Sequence, residues 1–127
     1  MRTRWIFLAL PAVLSGCASM MSSYSEVIGD RYNLAIQDRR SVEIVRVGST
    51  TGFASNRAVQ VDPGTYPVIV ASRAHGGFAG GKQETMQLKI DPCKRYYINA
   101  QYPSPISPDY QVVVDHVETI AGCKPPA

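Results

Sequence analysis

From about Tyr32 onward, short runs of alternating apolar and polar residues are separated by turn residues. Residues 84–90 (Glu84-Thr85-Met86-Gln87-Leu88-Lys89-Ile90) put Met86, Leu88 and Ile90 on one face and Thr85, Gln87 and Lys89 on the other. This period of two marks a half-buried strand. Residues 41–47 are rich in β-branched side chains and end at Gly48, and residues 58–61 stop at Asp62-Pro63-Gly64. Residues 65–71 follow at once; residues 95–102 group Tyr96, Ile98, Ala100 and Tyr102 on one face. The last run begins at Tyr110 and continues to about Ile120. Strands about ten residues apart, with no sustained helical period, predict an all-β domain over residues 32–127. The architecture expected is a small antiparallel β-sandwich of about six to seven strands.

The N-terminus follows a different pattern. Trp5-Ile6-Phe7-Leu8-Ala9-Leu10-Pro11-Ala12-Val13-Leu14 is almost wholly apolar, with Arg2 and Arg4 in front of it. A basic start and an apolar run of about ten residues fit an export signal, whereas a membrane-spanning helix needs roughly twenty. No polar face is present to make this stretch an amphipathic core helix. Leu14-Ser15-Gly16-Cys17 then resembles a bacterial lipobox: an aliphatic residue, two small ones and a cysteine. The resemblance implies a signal peptide over residues 1–16, cleavage before Cys17, and a diacylglycerol on its thiol with a further acyl chain such as palmitate on its new amino group. Several acyl chains hold firmly, since each buried methylene contributes about 0.8 kcal/mol. Ala18 rather than aspartate after the cysteine implies the outer membrane of a Gram-negative envelope. Residues 17–31, small and polar, are expected to be a lipidated tether.

Loss of Arg2 and Arg4 with the signal reduces 13 basic residues to 11 against 10 acidic ones, so the mature part is close to neutral. Arg39-Arg40 and Lys94-Arg95 are its longest basic runs, which argues against a nucleic-acid partner. The chain has three cysteines. With Cys17 taken by lipid, Cys93 and Cys123 remain, and in an oxidising envelope they are expected to form a disulfide. Their spacing lacks the close Cys-x-x-Cys pattern of a zinc site.

Val61-Asp62-Pro63-Gly64-Thr65-Tyr66-Pro67-Val68 offers Pro63-Gly64 as the centre of a type II turn. The segment resembles PEGA-type and transthyretin-like β modules of bacterial surface proteins, and this implies a small β-sandwich with an interaction or carbohydrate-associated role. Pro67 cannot donate a ladder hydrogen bond, so an edge strand or a bulge is expected there.

His75-Gly76-Gly77-Phe78-Ala79-Gly80-Gly81-Lys82 superficially resembles a phosphate cradle, but Lys82 is followed by Gln83 and a strand rather than Ser or Thr and a helix. It reads as a mobile hairpin loop with Phe78 at its tip. His116 and Glu118 alternate on one strand face and suit a surface ion pair better than a metal; no metal or other cofactor is expected. Tyr97, Tyr102 and Tyr110 flank the proline-rich segment 103–108 and, with Phe78, are the candidate ligand contacts. No nucleophile elbow occurs and no cysteine is free to attack, so the expectation is not an enzyme. It is a non-enzymatic envelope lipoprotein that contacts other envelope proteins. The alternative is a module that binds glycan or a peptidoglycan fragment.

Overall fold

Alternating β-branched and polar residues build eight strands: β1 (Ser25–Ile28), β2 (Arg39–Val47), β3 (Thr50–Thr51), β4 (Val59–Val61), β5 (Gly64–Ser72), β6 (Gln83–Ile90), β7 (Lys94–Gln101) and β8 (Gln111–Thr119). The computed structural model describes residues 23–52 and 58–125. The signal peptide expected over residues 1–16 and the lipidation expected at Cys17 lie outside the described residues. No helix occurs among the described residues. Six strands coincide closely with the sequence pattern. β1 and β3 are additions.

The strands form one hydrogen-bonded sheet in the order β4-β1-β7-β2-β5-β6, with β8 on the other edge of β7 and β3 on β2. β2 divides the sheet into two layers by changing partners along its length. Arg39, Arg40 and Ser41 pair with β7, whereas Val42 to Val47 pair with β5. A register shift between Ile44 and Arg46 adds local twist to this strand. The two layers enclose a shared core of Val27, Val42, Val47, Val68, Val70 and Ile98, all essentially inaccessible, with Leu88, Ile90, Tyr96, Ala100, Tyr102 and Tyr110 around them. The result is the expected small β-sandwich. It departs from a purely antiparallel arrangement at one place, where β1 runs parallel to β7.

The domain also starts earlier than residue 32. Ser25–Ile28 is paired on both sides, with β4 and β7, so strand structure lies within residues 17–31, where a tether was expected. Val27 and Ser25 face inward and are fully buried, which takes this segment out of solvent.

The Asp62-Pro63-Gly64 segment is not a hairpin turn. β4 pairs with β1 while β5 pairs with β2 and β6, so the segment carries the chain from one layer to the other. Gly64 sits at φ +155°, where a Cβ would press on the Tyr66 ring; glycine is favoured here for both reasons. A second crossing, Asp91-Pro92-Cys93, lies beside the first, because Gly64 and Ile90 are ladder partners. Cys93 holds a left-handed φ of 58° there.

Pro67 is in a central strand, contrary to the edge position expected. Its carbonyl accepts from the Gly48 N–H at 2.9 Å, just past Val47, the last β2 residue in the ladder. The missing proline N–H therefore faces the side where β2 has ended. The register shift belongs to β2, not β5.

Candidate functional site

The strands run so that the molecule has two chemically different ends. At one end the chain enters at β1, both layer crossings turn, and the disulfide Cys93–Cys123 closes 30 residues of chain with its Cα atoms 5.5 Å apart. The Cys123 Sγ lies 3.7 Å from the Tyr24 carbonyl, so the two ends of the domain meet. Buried Ser25 connects the corner: its hydroxyl donates to the Asp91 carbonyl (2.5 Å) and accepts from the Lys94 N–H (3.1 Å). The Asp91 N–H in turn donates to the Tyr96 hydroxyl (2.8 Å).

The opposite end is made of loops: the β1–β2 connection, residues 73–82 between β5 and β6, and residues 102–110 between β7 and β8. The glycine-rich segment closes as a two-residue hairpin. His75 and Phe78 exchange N–H···O=C bonds of 3.1 and 2.8 Å across Gly76 and Gly77, at φ +57° and +86°. Two consecutive positive φ values suit a primed turn and explain the Gly-Gly pair. Gly76 also seats this hairpin on the proline-rich loop, since a Cβ there would come within 2.3 Å of the Pro105 carbonyl oxygen.

Tyr102 joins these loops. Its ring lies 4.3 Å from that of His75 and 5.5 Å from that of Tyr110. Both tyrosines are buried, and the Tyr110 hydroxyl donates to the Lys82 carbonyl at 2.6 Å. Burial pushes both phenols above their ordinary range. A cleft of about 350 Å³ lies on one side, lined by Gln101, Tyr102, Pro103, Asp109, Tyr110 and Gln111. A smaller pocket of about 150 Å³ has Arg73, His75, Phe78, Lys82, Tyr102 and Ser107 among its walls. The Lys82–Asp109 ion pair links pocket to cleft. Phe78 is 41% exposed at the pocket wall.

Of the four expected contact residues, Phe78, Tyr102 and Tyr110 therefore converge. Tyr97 does not. It lies on the outer face of β7, where its hydroxyl donates to Glu118 at 2.6 Å and its ring stands 5.8 Å from His116. Glu118 also accepts from Arg95 (2.6 Å), which reaches Glu26 as well (2.8 Å). The Tyr97 hydroxyl, followed by Arg95, holds the Glu118 carboxyl below the usual carboxylate range. His116 and Glu118 share this face as expected, opposite Tyr97 and Arg95. Among the described residues no three His, Cys, Asp or Glu side chains are grouped to hold a metal ion.

Sequence reading missed Arg73, His75, Lys82, Asp109 and Gln111 as walls of the loop-end site. The signal available was the position of the first four in the two loops that carry Phe78 and Tyr102, and of Gln111 at the start of β8. No protein family, curated protein or solved structure gives a match to this chain.

Proposed function

We propose that this protein is a non-enzymatic, lipid-anchored module of the outer membrane that turns its loop end away from the bilayer toward an envelope partner. The observation that supports this reading most is the polarity of the fold. The chain enters at Ser25 beside the disulfide, while the aromatic and basic loops lie at the far end of the strands. A segment from an acylated Cys17 to Ser25 spans at most about 28 Å when fully extended. It joins the domain at the pinned end. The eight residues of β7 separate the two ends by roughly 25 Å. Acyl chains on Cys17 supply the membrane attachment, and the loop end carries the exposed aromatic and charged groups that recognition uses.

The test is fractionation and labelling in a Gram-negative host. The wild-type chain is expected in the outer-membrane fraction and to incorporate radioactive palmitate, and Cys17→Ser to do neither. An unlabelled, soluble wild-type protein overturns the anchor. A photo-crosslinker in place of Phe78 is expected to capture an envelope component that the same probe at Thr119 does not; capture at Thr119 alone overturns the orientation.

A further inference from the structure

Beyond Tyr102, the loop-end cavity changes character, and the change specifies a ligand. The cleft side offers exposed Asp109 and Gln111, with the largely buried Tyr102 and Tyr110 in its wall. These are groups that meet ring hydroxyls and the apolar face of a sugar. The pocket side is basic. Arg73, His75 and Lys82 stand in its wall, no carboxylate does, and the Ser72 and Ser107 hydroxyls and the Phe78 ring complete it. Arg40 approaches from behind, its Nε–H donating to His75 Nδ1 at 3.3 Å. Nδ1 is thereby taken as an acceptor, and Nε2 is buried without a hydrogen-bond partner among the described residues.

We propose that the loop end binds an acidic sugar, with its ring in the cleft along Tyr102 and Tyr110 and its carboxylate in the Arg73–His75–Lys82 pocket; this rests on reading that end as the recognition surface. The pocket has room for one small anionic group. The nearly neutral mature chain lacks the extended positive field that a polyanion would need. Lys82 already has an internal carboxylate in Asp109, whose side chain is 73% exposed. An incoming carboxylate competes with it for Lys82. Asp109 thus acts as a built-in competitor, and neutralising it should tighten binding rather than weaken it.

Isothermal titration of the full anchored protein, extracted in detergent with its disulfide intact, tests this with two matched pairs of probes. These are glucuronic acid against glucose, and N-acetylmuramic acid against N-acetylglucosamine. The acidic member of at least one pair should bind at least tenfold tighter than its neutral partner, and the pair that responds tells a ring carboxylate from one on a side arm. Arg73→Gln and Lys82→Gln should each reduce that preference, and Asp109→Asn should widen it. Equal binding of acidic and neutral sugars would overturn the role of the basic pocket. Binding of acetate as tight as that of the acidic sugars would overturn the cleft. No binding by any probe would overturn the proposal as a whole. None of these outcomes alters palmitate labelling at Cys17, so failure here is separate from failure of the anchor.

Discussion

The two ends of this sandwich are held together by different means. At the corner end a covalent bond, a fully buried serine hydroxyl and two proline-containing crossings fix the chain. At the loop end, stacked rings, one glycine-backbone contact and an exposed ion pair hold three loops in place. Covalent closure acts on the whole unfolded ensemble, whereas loop contacts are local and reversible. One end is therefore suited to bearing an attachment, and the other to adapting its surface around a ligand.

The largest test of this contrast is the disulfide. Closing 30 residues of chain should contribute about 3–4 kcal/mol by loop-entropy reasoning. Cys93→Ser with Cys123→Ser should lower the free energy of denaturant unfolding by that amount and leave the loop-end cleft unchanged wherever the fold persists. A loss under about 1 kcal/mol would mean that the corner is held without it. Next comes Ser25→Ala, which strands the Asp91 carbonyl and the Lys94 N–H in a buried site and should cost about 1–3 kcal/mol. Hydrogen exchange should quicken around Asp91 and Lys94 and not around residues 73–82.

Gly76→Ala should show the opposite pattern. A Cβ at a left-handed φ, directed at the Pro105 carbonyl, should cost about 1–2 kcal/mol. Most of that is expected as local opening, with exchange accelerating in residues 73–82 and 102–110 while the corner stays protected. The smallest effect is in alkali. Burial raises Tyr102 and Tyr110, so their contribution is fully present below the ordinary tyrosine value, about 10. It is lost as pH rises from there through the raised folded values, because the unfolded chain ionises first. Tyr102→Phe and Tyr110→Phe should each blunt this loss, followed by tyrosinate absorbance alongside unfolding. Equal alkaline sensitivity in the double variant would remove the loop end as its source.

Alternation along the chain identified six strands because each buries one face against the core, and that is a local property of the sequence. β1 escaped it. Ser25-Glu26-Val27-Ile28 is too short to display a period, and its strand form depends on partners almost 70 positions away, such as Arg95 opposite Glu26. Pairing choice was equally hidden. Asp62-Pro63-Gly64 has the chemistry of a hairpin turn, yet the layers on either side make it a crossing. At the candidate site, aromatic type was readable for Phe78, Tyr102 and Tyr110. Tyr97 was grouped with them against the alternation that already set it on the opposite face from Tyr96 and Tyr102. The basic wall was out of reach for another reason: Arg73, His75 and Lys82 share one loop, but they form a wall only once that loop packs on residues 102–110 through Gly76 on Pro105, His75 on Tyr102 and Lys82 on Asp109.

The proximity of Cys123 to Tyr24 has a practical consequence. An affinity handle or fluorescent fusion appended after residue 123 would emerge beside Tyr24, at the end of the domain opposite the aromatic loops, and leave that far tip unobstructed. A domain whose two leads exit side by side can also be grafted into a surface loop of a carrier protein with little strain, displaying its tip outward.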